Sequence, residues 1–311
     1  MTVRSALPPL ANRSVQLTFD KAPSPALVSR AGLWHFQIIA IAFACVFTAV
    51  MGRYGSSVML ASATILFLIG GLPHGAFDIH RAAQNAGLGR ARLLTFTAIY
   101  IGIFGLMLVG WNTIPAFVLP LFLVTAALHF GADWPETEEA LFKAALGFAP
   151  ICAIGISNLD QVELIFTTMA TPMVALWTTR IFILVAPVAL LVAGMALVLI
   201  GRASGPARPT VFALMLVSLT VLPPVVGFAL YFCAFHTPRH MADIRDDLAA
   251  QKPVHLVLAG AGITALALAV GVLAFPRVSV SGLMMAARGF LLLSALAMPH
   301  QTMALILKRL A

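Results

Sequence analysis

The chain has few charged residues: Asp, Glu, Lys and Arg make up 10% of its 311 residues, whereas 61% are hydrophobic and the mean hydropathy is +0.99. A soluble globular domain carries roughly 25% charged residues. The shortage of charge therefore excludes an ordinary soluble protein. Because a helix needs about 20 apolar residues to cross a bilayer, there is room for about eight to ten membrane segments. We predict an all-α fold, a polytopic transmembrane helical bundle.

Cysteine is also scarce. Cys45, Cys152 and Cys233 fall inside apolar runs and no CxxC motif occurs, which excludes a disulfide framework. The net charge of +8 would suit nucleic-acid binding, but Lys and Arg are scattered among short loops and form no basic stripe. We therefore expect no nucleic-acid partner and interpret the basic residues as markers of membrane topology.

The N-terminal region lacks a continuous apolar stretch and contains several Pro and Ser residues. The first apolar run begins near Gly32, and no small-residue cleavage site follows it, so a removable secretory signal is not expected. We predict a disordered cytoplasmic tail over residues 1–31. A single membrane domain over residues 32–311 would then lie in the inner (plasma) membrane.

One apolar run is interrupted by Pro223-Pro224, two consecutive residues without a backbone N–H. The interruption could give a kinked helix, two short crossings, or a hairpin that returns to its own side. If the tail is cytoplasmic and the chain reverses here, about fifteen basic residues lie inside, against Arg53 and Arg277 outside. We therefore predict a broken or reversing segment at the diproline, with the N-terminus in the cytoplasm.

Histidines lie at or near the ends of the apolar runs. They occur in PHGAFD (His74), in HFGAD (His129), in FHTPRH (His236 and His240) and late in the last run (His300). Ionisable residues at membrane depth are rare and usually functional. The reversal at the diproline places all five on one side of the membrane. Imidazoles from several helices can form a buried transition-metal site, although ligand type alone does not choose among Fe, Cu, Zn and Ni.

Two of these histidines precede an aspartate by four residues, in the pairs His74–Asp78 and His129–Asp133. In a helix this spacing places both side chains on one face. A metal-bound imidazole commonly donates its other N–H to a carboxylate. The alternative is that each aspartate marks a helix end at the water boundary. The occurrence of both pairs together with the other histidines favours the metal site.

His236 and His240 have the same spacing, but Pro238 lies between them and clashes with a continuing helix. We expect Thr237 to cap a new helix with Pro238 at its first position, so that the two rings converge across a helix break. His300 is either a ligand or a hydrogen-bonded residue with a structural role or a place in a substrate pocket.

Other residues near the run ends are expected at the membrane interface. Trp34, Trp111 and Trp134 fit the aromatic belts that occur there. His35, His80 and His255 lie at helix starts or in a polar loop, and we do not expect them to bind a metal.

The motifs PHGAFD, HFGAD, FHTPRH and a late PH, in this order in a membrane chain, resemble the Brp/Blh family of bacterial and archaeal β-carotene dioxygenases. The resemblance runs from about His74 to His300. It implies a non-haem Fe(2+) centre that cleaves the central double bond of β-carotene with O₂ and gives two molecules of retinal. The implied partners are a carotenoid, O₂ and the lipid bilayer, with a functional link to a retinal-binding protein.

The resemblance also implies roles for individual residues. The implied metal ligands and catalytic residues are His74, His129, His236 and His240. Asp78, Asp133 and His300 are expected either to form hydrogen bonds to these ligands or to line the substrate pocket. Gly75 and Gly131 would let helices or substrate approach the metal closely.

Two other classes of function remain open. A membrane di-iron hydroxylase or desaturase of lipids or carotenoids also has histidines at helix ends, but it needs many more of them, and only one HxxxH box occurs here. A non-enzymatic haem-binding or ion-transporting bundle would use paired histidines as axial or transport ligands. Haem would show a Soret band, and a transporter would usually carry acidic residues well inside its helices, whereas Asp78 and Asp133 lie at run ends.

Overall fold

The structure, a computed structural model, describes residues 30–71, 75, 77–85, 89–241, 258, 261–262, 264–266, 269, 273 and 281–310. The helices are α1 (Arg30–Met51), α2 (Ser56–Gly71), α3 (Asp78–Asn85), α4 (Arg90–Thr113), α5 (Pro115–Gly131), α6 (Ala140–Ser157), α7 (Leu159–Met169), α8 (Pro172–Ser204), α9 (Ala207–Val221), α10 (Pro224–Leu230) and α11 (Gly282–Leu310). The predicted all-α fold is confirmed for the described residues, which contain no strand. The predicted tail lies outside them, except for its last two residues, at the start of α1.

Five helices are long and apolar enough to cross a membrane, namely α1, α4, α6, α8 and α11, and α2, α5 and α9 are shorter apolar helices. Their outward faces carry large apolar side chains such as Leu94, Leu106 and Leu184, which are 71%, 70% and 76% exposed. Soluble monomers rarely expose so much contiguous apolar surface. These faces therefore suit contact with lipid, and the count of eight to ten segments remains a prediction.

Local sequence accounts for several helix boundaries. The Asn158 side chain accepts a hydrogen bond from the backbone N–H of Gln161 at 3.1 Å and so caps α7. Thr171 caps α8 in the same way, by accepting from Val174 N at 3.3 Å. These bonds satisfy N–H groups that the first helical turn leaves without a partner. At the other end of α8, Gly205 has a φ of +98°, a conformation that glycine adopts readily.

Two helices organise the packing. α6 packs against α5, α8 and α9, and α11 packs against α2, α4, α5 and α7. The contact between α5 and α6 is close because a Cβ on Gly147 would collide with the carbonyl of Ala127 and lie 2.6 Å from the backbone nitrogen of Gly131. This glycine contact fixes the end of α5, which carries His129.

Two tryptophans expected at the membrane interface are buried instead. Trp111 is 5% exposed and donates from Nε1 to Oγ of Ser294 at 2.7 Å. Trp134 is 2% exposed, packs edge-on against Phe212 and lies 4.0 Å from the guanidinium of Arg208. The prediction for these two residues is wrong because neighbouring helices cover the run ends on which they lie.

The helix breaks at the diproline, as α9 ends at Val221 and α10 begins at Pro224 after two extended residues. The segment 224–241 then runs back beside α9. Phe212, near the start of α9, and Phe235, late in the segment, have ring centroids 6.4 Å apart. The rings of these two residues, on either side of the diproline in the chain, therefore lie close together.

The returning segment contains a π-helical turn, Tyr231–His236, and is helical again over 237–241. Thr237 has helical backbone angles, with φ −56° and ψ −44°. The predicted cap at Thr237 and the predicted helix break are therefore wrong, because the π turn lets the helix continue through Pro238. Such turns are rare and are often found at functional sites.

A long-range hydrogen bond compensates for the proline. Pro238 has no N–H to donate to the carbonyl of Ala234, four residues earlier. Gln37 on α1, which is 7% exposed, donates from Nε2 to that carbonyl at 3.3 Å. The buried amide thus stabilises the turn that carries His236.

Candidate metal centre

Three parts of the chain bring four histidines together. His129 lies in the last turn of α5, His236 and His240 lie on the returning segment, and His300 follows Pro299 in α11. One ligand atom from each of His129, His236 and His240 lies within 4.8 Å of the other two. The ring centroid of His300 is 5.0 Å from that of His129 and 5.6 Å from that of His240. We call these four residues the histidine cluster.

The histidine cluster is shielded from solvent. His236 is 1% exposed and His300 is 6% exposed, and the other two rings are partly buried. Nε2 of His129 is buried and has no hydrogen-bond partner among the described residues. A buried polar atom in this state is costly. Coordination to a metal ion would satisfy it.

The donor set fits a transition-metal ion. Imidazole nitrogens bind such ions at about 2.0–2.1 Å, so two ligands of one ion lie at most about 4.2 Å apart. If all three donors are 4.8 Å apart, each would have to move about 0.7 Å toward a common centre to bind one ion at this distance. Neutral imidazoles suit several first-row metals. The geometry therefore supports a metal ion without selecting iron.

Asp133 supports two rings of the histidine cluster. Its Oδ2 lies 2.8 Å from Nδ1 of His236, and its Oδ1 lies 3.3 Å from Nε2 of His240. Burial raises the pKa of Asp133, but the charges and hydrogen bonds of His236 and His240 outweigh this effect and hold the pKa well below its usual value. An ionised carboxylate only accepts hydrogen bonds, so Nδ1 of His236 is the donor. Nε2 of His236 is then the nitrogen that would face a metal.

This pairing differs from the one that the sequence spacing indicates. The spacing paired Asp133 with His129 on one face of a continuing helix. However, α5 ends at Gly131, and Asp133 lies in the following turn, where its N–H donates to the carbonyl of Phe130 at 3.2 Å. Its carboxylate therefore bonds to His236, which comes from a distant part of the chain.

Asp78 binds His300. Its Oδ2 lies 2.8 Å from Nδ1 of His300 and accepts a hydrogen bond from the Tyr100 hydroxyl at 2.8 Å. His74, which the spacing pairs with Asp78, lies outside the described residues. Its chain neighbour Gly75 lies against the cluster, because a Cβ there would be 3.9 Å from the ring of His300.

An apolar cavity of about 100 Å³ lies beside the histidine cluster, among α5, α6, α7, α8, α10 and α11. Phe130 and Phe232 form the wall nearest the cluster, with ring centroids 4.8 and 5.5 Å from that of His236. The ring of Phe232 lies directly on Gly71, where a Cβ would collide with it. The cavity lining is aromatic and aliphatic, which suits a hydrocarbon.

A second cavity, of about 570 Å³, adjoins Asp133 and has a more polar lining that includes Gln37 and Arg239. Arg208 holds part of its wall in place, because it pairs with Glu136 and donates to the backbone carbonyl of Asp133 at 2.7 Å. Residues that contact the histidine cluster therefore line both cavities: Phe130 and Phe232 line the apolar one, and Asp133 lines the polar one.

Residues 63–308 match the sequence profile of a family described as beta-carotene 15,15'-dioxygenase. The chain belongs to this family. It is 27% identical over 201 residues to a beta-carotene 15,15'-dioxygenase from Uncultured marine bacterium 66A03, a match that covers 60% of this chain and 70% of that protein. No solved structure matches the chain. The resemblance that the histidine motifs carry is thus confirmed, and membership of the family supports carotenoid cleavage as the general activity.

Sequence reasoning missed several side chains that lie around the histidine cluster. Two of them, Phe130 and Gln301, could have been found, because they directly follow His129 and His300 in the chain. Tyr100 carries no such signal, because it reaches Asp78 only through the packing of α3 against α4.

Of the three histidines that we do not expect to bind a metal, the structure describes the side chain of one. His35 is exposed on α1. The side chain of His80, on α3, and the whole of His255 lie outside the described part of the chain. His35 therefore serves as a control histidine.

Proposed function

We propose that this protein cleaves the central double bond of β-carotene with O₂ at a non-haem iron centre and releases two molecules of retinal. The observation that carries the proposal is that Phe130 and Phe232, which line an apolar cavity, also pack against His236 of the histidine cluster, in a chain of the beta-carotene 15,15'-dioxygenase family. A hydrocarbon substrate needs an apolar site. Its cleavage by O₂ needs a redox-active group next to that site.

The proposed iron ligands are His74, His129, His236 and His240. The donor distances support three of them, and the approach of Gly75 to His300 supports the inclusion of the adjacent His74. When bound, iron would supply the one-electron chemistry that O₂ requires. Asp133 holds His236 in the tautomer whose Nε2 can bind a metal, and Asp78 orients His300 in the same way.

The apolar cavity is proposed to hold one arm of the polyene. Its lining includes α5 residues from Leu119 to Phe130, a distance of about 16 Å along a helix. The cavity therefore extends from the end of α5 near the histidine cluster toward the start of that helix. In this arrangement Phe130 and Phe232 position the polyene by ring contact and exclude water from the reacting carbons.

We also propose the membrane arrangement: about eight to ten segments, with the N-terminus in the cytoplasm and the protein in the inner membrane. A reversal at Pro223-Pro224 is supported by two contacts with Asp133. Arg208 precedes the diproline in the chain and His236 follows it, and each forms a hydrogen bond with Asp133. A retinal-binding protein would be the functional partner that takes up the product.

Replacement of Ala126 by phenylalanine is expected to lower β-carotene cleavage about tenfold, because Ala126 is 4% exposed and lines the apolar cavity. The measurement is retinal formed per amount of purified protein. The matched control is Leu128→Phe, since Leu128 lies on the same helix but is 56% exposed. Equal loss in both variants, or no loss in either, would contradict the assignment of the cavity.

Expression in a bacterial host that accumulates β-carotene tests the function directly. We expect the pigment to bleach and retinal to appear in the extract, and the purified protein to contain iron. Unchanged pigment in cells that contain folded, iron-loaded protein would refute the proposed function.

A further inference from the structure

The apolar cavity has one polar residue in its described lining, Gln301 on α11. The other lining residues have aliphatic, aromatic, thioether or proline side chains, or are glycine. A hydrocarbon has no atom that can form a hydrogen bond with an amide. The presence of Gln301 therefore calls for a ligand that contains a polar atom at this position.

Gln301 lies at the end of the cavity nearest the histidine cluster. It follows His300, whose ring centroid is 5.0 Å from that of His129, and neighbouring Cα atoms are about 3.8 Å apart. In the proposed function, the double bond that is cleaved lies at this end. The amide is thus beside the carbon atoms that become aldehydes.

The amide oxygen of Gln301 is buried, and within the described ranges no donor reaches it. A buried amide oxygen without a partner is unfavourable. The group can rotate about its last side-chain bond and can present either its oxygen or its NH₂ to the cavity. A ligand with a carbonyl oxygen would accept a hydrogen bond from that NH₂.

We propose that Gln301 binds the aldehyde oxygen of retinal in the product complex. The proposal rests on the proposed function, because retinal occupies this cavity only if the polyene is cleaved there. Gln301 would then distinguish product from substrate: β-carotene lacks the oxygen that the amide binds. It is a binding residue and takes no part in proton or electron transfer.

The test uses the purified full-length protein, retinal as the probe, and the variant Gln301→Met, which keeps a similar length without the amide. Raman spectra of bound retinal should show a lowered C=O stretching frequency in the wild type and a frequency typical of apolar solvent in the variant. Retinal affinity should fall roughly threefold to tenfold. The KM for β-carotene should change less than the retinal affinity, because β-carotene has no oxygen for the amide to bind.

Gln161→Met is the matched control, since the Gln161 amide oxygen is also buried and lacks a partner among the described residues, but Gln161 does not line the cavity. If Gln301→Met fails to fold, Gln301→Leu replaces it in the same measurements. A variant that retains the lowered frequency and full retinal affinity would overturn the proposal. So would lost turnover with unchanged retinal binding, which would assign Gln301 to the reaction itself.

The two proposals can fail separately. If the wild-type protein leaves β-carotene intact in cells, the proposed function fails. If the wild type produces retinal but Gln301→Met binds retinal with the same spectrum and affinity, only the role of Gln301 fails.

Discussion

Replacement of His236 by alanine is expected to abolish retinal formation and to reduce bound iron. The His236 ring is 1% exposed, lies among the other rings of the histidine cluster and is fixed by Asp133. Loss of a residue that hydrogen-bonds to a metal ligand lowers metal affinity or activity about 10–100-fold. Loss of the ligand itself should lower them more than about 100-fold. The measurements are the retinal yield and the iron content of the purified protein.

The control is His35→Ala, because His35 is exposed on α1, and we expect it to retain activity and iron. His129→Ala and His240→Ala should behave like His236→Ala. His300→Ala separates two roles: loss of iron would make His300 a ligand, whereas retained iron with lower activity would place it in the pocket. Wild-type activity and iron in all three ligand variants would show that the ligand assignment is wrong.

Replacement of Asp133 by asparagine is expected to lower iron affinity and turnover about 10–100-fold. Asp133 accepts the Nδ1–H of His236 and lies 3.3 Å from His240. An asparagine carries no charge and can turn its NH₂ toward the ring, which would favour the wrong tautomer of His236. Iron affinity is measured by titration of metal-free protein, and turnover by retinal formation.

Asp160→Asn is the matched control, because Asp160 is exposed in the first turn of α7. Asp78→Asn tests the other carboxylate: it removes the negative charge and should weaken the hydrogen bonds from His300 and Tyr100, without changing Asp133. An Asp133→Asn protein with wild-type iron affinity and activity would rule out a role for this carboxylate in holding the ligands.

The fold class could be predicted from the sequence because it depends on composition. Long apolar runs with little charge require helices in a bilayer, since each helix satisfies its own backbone hydrogen bonds. The break or reversal at Pro223-Pro224 rests on the missing N–H groups of the two prolines and stays a prediction. The π turn before Pro238 was not predicted, and neither was the hydrogen bond from Gln37, distant in the chain, to the carbonyl that Pro238 leaves without a donor.

For the site, the sequence by itself determined which histidines and aspartates were candidates, because ionisable residues at the ends of apolar runs are costly unless they have a function. Only the tertiary structure decided how they pair. Asp133 bonds to His236 rather than to His129, and Asp78 bonds to His300 from the last helix. The physical reason is that spacing fixes which residues share a face of one helix, whereas hydrogen bonds between helices depend on where those helices end and how closely they pack.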